Sequence, residues 1–341
     1  MGRAWLLLAA LVAALVLAAC GGDDDGAQAG AATTGSAGAF PVTIDHAFGA
    51  TTVASRPERV VTWGWGSADA AIALGVTPVA IPFQSYGGDA DGVLPWLREA
   101  LDATGEAVPA VLPDSAEEPP YEEIAAAEPD LILAPYSGVT KKQYELLSAI
   151  APTVAHPGEA WATPWRETIE IVGAALGKDA EAEALLADID ARLAEKAEQY
   201  PQLAGKSVAM VWDAGGTFYV YRAADPRVEA TLALGLTSDP SVDALANGDE
   251  TFYYTLSYEN LDQLESDILV SFADDERLSK AFLASPQGRT MAQVREGRVA
   301  PVVGKAFIAA VSPPTALSLT WGLDDYAEIL AKAADTADAA G

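Results

Sequence analysis

Beyond residue 40, short apolar runs rich in β-forming residues alternate with segments whose apolar positions recur at helical spacing. Runs at 59–63, 78–81, 130–134 and 153–155 predict strands in the first half of the chain. Runs at 207–212, 217–221, 267–272 and 298–302 predict strands in the second half. Strands alternating with helices predict an α/β architecture.

The two halves echo each other. Tyr121-Glu-Glu-Ile-Ala-Ala-Ala-Glu-Pro-Asp-Leu-Ile-Leu133 aligns with Tyr258-Glu-Asn-Leu-Asp-Gln-Leu-Glu-Ser-Asp-Ile-Leu-Val270, sharing Tyr, two Glu and Asp. In the same order, Ala70-Ala-Ile-Ala-Leu-Gly-Val-Thr77 aligns with Ala230-Thr-Leu-Ala-Leu-Gly-Leu-Thr237. Two ordered matches predict a duplicated αβ lobe. Between the halves, Leu185, Leu186, Ile189 and Leu193 keep helical spacing across 179–199, with Asp179 as the expected N-cap and Pro201 as the stop. Twenty residues at 1.5 Å each give a rod of roughly 30 Å, the width of a small domain. The reading is therefore two Rossmann-like lobes joined by one long helix, with a packing helix inside one domain as the alternative. The division is an N-terminal lobe at 40–178, a connecting helix at 179–200 and a C-terminal lobe at 201–341.

Upstream, Arg3 precedes an apolar run that ends Leu17-Ala-Ala-Cys20. A positive start, an apolar segment and small residues before a cut define a secretory signal, read here as 1–19. The run is shorter than the ~20 residues needed to span hydrocarbon. The Leu-Ala-Ala-Cys stretch resembles the bacterial lipobox, which implies lipid on Cys20. Residues 21–39 hold no aliphatic side chain larger than Ala and read as a flexible tether, so 20–39 is anchor plus tether. Cys20 is the single cysteine, which excludes an intrachain disulfide and a cysteine metal cluster. A net charge of -29 argues against a nucleic-acid partner.

Arg56-Pro-Glu-Arg-Val-Val61, Ala73-Leu-Gly-Val-Thr-Pro78, Glu128-Pro-Asp-Leu-Ile-Leu133 and Gln143-Tyr-Glu-Leu-Leu-Ser-Ala-Ile-Ala-Pro-Thr-Val154 resemble the iron-siderophore and vitamin B12 class of periplasmic-type binding proteins. Gly297-Arg-Val299, Ser312-Pro313, Leu317-Ser-Leu319 and Ala327-Glu-Ile-Leu330 are similar to the end of that family's sequences. The likeness covers nearly everything after Pro41. It implies two lobes with a ligand cleft between them and delivery to the permease subunits of an ABC importer. It further implies a lipid-anchored monomer outside the cell membrane whose cargo is a ferric siderophore, with haem or cobalamin as alternatives. By the same resemblance, Glu122 is the first-lobe docking residue. Glu229 is a substitute for the family's second-lobe glutamate, whose aligned place holds Leu232.

Ligands of open α/β sheets sit beyond the carboxyl ends of the strands. Residues following the predicted strands, with those on the 217–221 strand and before the repeated helix, give the candidates Trp65, Tyr86, Tyr136, Trp161, Trp212, Tyr219, Arg222, Tyr254 and Lys305. Their rings suit a bulky, partly apolar chelate, and Arg222 and Lys305 suit an anionic oxygen. The two histidines, His46 and His156, are too few for a bare transition-metal site, so no metal ligands and no intrinsic cofactor are expected, and iron arrives inside its chelator. A tyrosine oxygen leaves haem open. No Gly-x-Ser-x-Gly elbow, Gly-x-x-x-x-Gly-Lys-Ser/Thr phosphate loop or Gly-x-Gly-x-x-Gly is present, so an enzyme is not the preferred reading, and a plain scaffold would not require aromatic groups at strand ends.

Overall fold

The computed structural model describes residues 40–115, 118–248, 250 and 252–340. The expected signal segment, Cys20 and the tether to residue 39 lie outside them. An antiparallel hairpin comes first, β1 (Val42–His46) and β2 (Gly49–Val53). Its inward side chains, Ile44, His46, Thr51 and Val53, alternate with exposed ones, a period-2 pattern too short and polar to stand out as an apolar run.

A five-stranded parallel sheet follows: β3 (Val60–Thr62), β4 (Ala80–Ile81), β5 (Ala110–Val111), β6 (Leu131–Leu133) and β7 (Thr153–Val154), in the order β5-β4-β3-β6-β7. The second sheet holds β8 (Ser207–Ala214), β9 (Thr217–Tyr221), β10 (Thr237–Ser238), β11 (Tyr253–Leu256), β12 (Ile268–Ala273) and β13 (Val299–Val303). Its order is β11-β9-β8-β12-β13, with β10 also paired to β8. The parallel set β10-β8-β12-β13 reproduces β4-β3-β6-β7, so the sequence echoes fall on equivalent elements. What differs is β9 and β11, which run antiparallel at one side of the second sheet.

The central strands explain themselves. Leu131, Ile132 and Leu133 are all buried, as is every residue of β12, because helices cover both faces of a parallel sheet. β9 instead alternates, sending Phe218 and Val220 to one face and Tyr219 and Tyr221 to the other.

The helix Asp179–Gln199 runs between the sheets in sequence and buries Ala182, Ile189 and Leu193. It starts at Asp179 itself, after Lys178, without a side-chain cap, so Asp179 opposes the helix dipole from the first turn rather than capping it. Both sheets belong to one compact unit.

The two halves meet at a buried carboxylate. Asp69, on the helix Ser67–Ala73, is 1% exposed. It accepts a hydrogen bond from Trp96 Nε1 at 2.5 Å and another from the Thr315 hydroxyl. Trp96 lies on the helix Pro95–Thr104, and Thr315 just precedes the long C-terminal helix Ser318–Ala340. Trp321 on that helix packs on Trp96, ring centroids 5.6 Å apart, and donates to Glu99 at 3.0 Å. Burial raises the Asp69 carboxyl to about 6, against the lowering effect of Thr315 and Trp96.

A folded-state value above the unfolded one means the native protein holds this proton more tightly. The associated stability is present below about pH 3.8 and is lost as pH rises through about 6. Asp69→Asn keeps an acceptor oxygen for both donors and removes this dependence. Denaturant unfolding should therefore show the variant gaining about 3 kcal/mol on the wild type between pH 3.5 and 7, at about 1.4 kcal/mol per unit. A constant difference across that range would show that Asp69 does not titrate as its burial requires.

Candidate ligand-binding site

In the first sheet the chain runs outward from β3 through β4 to β5, then returns to β6 on the other side of β3. This reversal is the place where strand-end loops diverge and leave a crevice. An opening of ≈ 520 Å³ lies there, lined by Trp63, Gly64 and Trp65 after β3, Phe83, Gln84 and Ser85 after β4, Asp114 and Ser115 after β5, and Gly138 and Val139 after β6, with Trp161. Gly64 has φ +87°, and a Cβ there would come within 2.3 Å of the Tyr136 carbonyl oxygen, so only glycine lets the two strand-end loops touch.

Trp161 is the most exposed of the candidate aromatics, at 55%. Its backbone is left-handed, φ +58°, and its N–H donates to the Ser137 carbonyl at 3.1 Å. The indole lies edge-on to Tyr136, centroids 5.7 Å apart, and over Gly138, where a Cβ would fall 2.3 Å from Nε1.

The second sheet has a corresponding opening of ≈ 330 Å³ at the ends of β8 and β12. Asp213, Tyr258, Ser271, Phe272 and Ala273 line it with the helix Glu276–Ala284. The Tyr258 hydroxyl donates to Asp213 Oδ1 at 2.5 Å. Burial and that carboxylate push the Tyr258 phenol up to about 12.

Tyr86 crosses between the halves. Its hydroxyl donates to Asp274 Oδ1 at 2.8 Å, its ring lies 6.4 Å from that of Trp212, and Lys305 Nζ stands 5.9 Å from its centroid. Burial, then the Asp274 carboxylate, raise the Tyr86 phenol. Next to it, a Cβ on Gly87 would come within 2.6 Å of that of Ala309, so the β4 loop approaches the second half closely because residue 87 has no side chain. Trp65 Nε1 donates to the Pro313 carbonyl at 3.1 Å. With Tyr136 and Pro226 it surrounds a void of only ≈ 10 Å³, which makes this part of the seam packing rather than a ligand space.

Trp65, Tyr86, Tyr136, Trp161, Trp212 and Lys305 thus gather along one seam. Tyr219 joins them as the cross-strand partner of Trp212, on the same face of the sheet. Two candidates are corrected. Tyr254 is 2% exposed among Phe218, Val220 and Leu256, with its hydroxyl unpaired. It lies on β11, and alternation turns it opposite to Tyr253. Arg222 follows the face of Phe218 and Val220 and meets Asp243 at 3.5 Å, away from Tyr219. Because β9 is antiparallel, its end does not share the carboxyl edge of β8.

A further cation at the seam is Arg227, the second residue of the helix Pro226–Leu232. Its guanidinium stacks on Tyr221 at 3.8 Å and bonds Asp225 Oδ1 at 2.7 Å, both side chains nearly buried. Its charge reaches both Tyr86 and Tyr136. The Asp225-Pro226-Arg227 start, an N-cap carboxylate before Pro at the first helical position, was the available signal.

Both histidines are buried around Phe48 and have partners. His46 bonds Thr51, and His156 contacts the Val139 and Gly158 carbonyls. Among the described residues no group of three His, Cys, Asp or Glu is placed to hold a metal ion. Glu122 is exposed and has no ion-pair partner among the described residues. Glu229 lies 3.5 Å from Arg166, which also pairs with Asp190 of the connecting helix at 2.7 Å.

With the geometry in place, residues 60–300 match the family model described as periplasmic binding protein. Among solved structures, Streptococcus pneumoniae TIGR4 PiaA in complex with ferrichrome is 32% identical, with a TM-score of 0.77 over 86% of this chain and 99% of that one. The probable siderophore-binding lipoprotein YfiY of Bacillus subtilis (strain 168) is 25% identical over 265 residues, 75% of this chain and 78% of that protein. The Fe(3+) dicitrate-binding periplasmic protein FecB of Escherichia coli (strain K12) is 31% identical over 169 residues, 48% of this chain and 52% of that protein. The chain belongs to the periplasmic binding protein family, in its two-lobed α/β form.

Tyr254 provides a test of the corrected wall. Removing an unpaired buried hydroxyl by Tyr254→Phe should leave the protein as stable as before or more so, by about 1 kcal/mol. Thermal unfolding checks this, and a drop of several degrees would show the hydroxyl to be used.

Proposed function

We propose that this protein captures a ferric siderophore between its two αβ halves and hands it to the permease of an ABC importer. The observation that carries the reading is the exposed Trp161 beside the ≈ 520 Å³ opening at the strand reversal of the first sheet. A planar indole held at the mouth of a roomy, mixed-polarity crevice suits an iron chelate with apolar flanks. Family membership and the likeness to siderophore-binding relatives support the same cargo. The iron arrives as part of the cargo, and we read the protein as a carrier rather than a catalyst.

Trp65, Tyr86, Trp161, Trp212 and Tyr219 are the proposed contact rings, with Tyr136 supporting Trp161 from behind and Lys305 over Tyr86 as the nearby cation. Glu122 is the proposed contact with the permease on the first half. On the second half Glu229 serves only after releasing Arg166. We further propose the division into lobes at 40–178 and 201–341 about the 179–200 helix, a monomeric state, and anchoring to the outer face of the cell membrane through lipid on Cys20. The description of one relative as a lipoprotein supports that anchor.

Titration with ferric siderophores should quench tryptophan fluorescence. Trp161→Ala should weaken binding at least ~10-fold while leaving the unfolding midpoint unchanged, since the side chain is mostly exposed. Full affinity in the variant would remove Trp161 from the site. Separately, Cys20→Ala should move the protein from the membrane fraction to the soluble fraction of expressing cells, and unchanged fractionation would refute the lipid anchor.

A further inference from the structure

The charges around the two openings restrict which ferric chelate fits, an inference that rests on the siderophore reading above. Among the described residues each opening has a single charged side chain in its lining, and both are acidic: Asp114 in the first and Asp213 in the second. Asp274 adds a third carboxylate where Tyr86 crosses between the halves. Asp274 accepts from the Tyr86 hydroxyl at 2.8 Å and Asp213 from the Tyr258 hydroxyl at 2.5 Å, which places two of the carboxylates at the gap itself.

Positive charge at the gap is already spent. Arg227 is bound to Asp225, and Arg222 is turned toward Asp243. Arg277 and Lys280, on the helix beside the second opening, face Asp275 and Glu276. Arg98, behind the β4 loop, is held by Asp89. Lys305 is the cation at the seam without an ion-pair partner among the described residues, and it stands over the Tyr86 ring. A polyanionic chelate entering here would meet three carboxylates and one free ammonium group, inside a protein of net charge -29. Neither close contact nor long-range steering favours it. A neutral or cationic chelate meets no such penalty, and the indole of Trp161 attracts positive charge across its face.

We propose that the cargo is a hydroxamate-type ferric chelate of zero or positive net charge, and that Asp114, Asp213 and Asp274 exclude anionic catecholate and citrate chelates. The choice agrees with the ferrichrome held by the PiaA relative.

The test is a fluorescence titration of the purified protein with ferrichrome (neutral), ferrioxamine B (cationic), a ferric tris-catecholate (trianionic) and ferric citrate. The hydroxamates should bind at least ~100-fold more tightly than the tris-catecholate at low salt, with the gap narrowing as salt screens the carboxylates. Asp274→Asn should bring the tris-catecholate closer by roughly 10-fold while ferrichrome changes little. Since that substitution touches the Tyr86 contact, the exposed Asp114→Asn should give a smaller shift in the same direction. Tris-catecholate or ferric citrate binding as tightly as the hydroxamates would overturn the charge rule and leave siderophore capture standing. Binding of none of the four chelates would overturn siderophore capture and this rule together.

Discussion

The buried Asp69 carboxylate is the contact on which the relation of the two sheets depends. Its oxygen receives Trp96 from its own half and Thr315 from the other, so the Thr315 hydroxyl finds this acceptor only when both halves are in place. Burying a carboxylate is costly unless hydrogen bonds compensate it, and here those bonds come from elements more than 200 residues apart in sequence. Asp69 is 1% exposed, and the low local dielectric strengthens the same bonds, while Trp96 packs edge-on to Trp65 and tilted against Trp321. The C-terminal helix is thereby docked on the N-terminal half, and Arg166 ties the first half to both the connecting helix and Glu229.

That geometry fixes where function can lie. The reversal beside β3 and its counterpart at β8 and β12 are openings left by topology, and the seam sets their distance. Tyr86 occupies the narrow place between them, with Ser85 lining one opening and Ala273, next to its partner Asp274, lining the other.

Much of this was legible in the sequence because it is local. Continuous apolar runs mark the central strands, since both faces are covered, and the duplicated helix-strand segments mark equivalent places in the two sheets. The residues after the parallel strands β3, β4 and β6 lead directly to Trp65, Tyr86 and Tyr136. The same rule fails at β9 and β11. Strand direction is set by hydrogen bonding to β8, which the pattern of apolar residues does not encode, so Arg222 and Tyr254 are candidates by position whose side chains the structure turns away from Tyr219. Arg227 and Asp274 escaped for a related reason. Their roles come from partners distant in the chain, and nothing about an isolated arginine or aspartate announces them.

The backbone of Trp161 has a consequence for the entropy of its proposed contact. Its left-handed turn, its bond to Ser137 and its packing against Tyr136 and Gly138 hold the indole in one orientation before any cargo arrives. Immobilising a free side chain on binding costs about 0.5–1.5 kcal/mol, and here folding has already met that entropic cost. At the proposed contact, such preorganisation favours binding without requiring any additional contact.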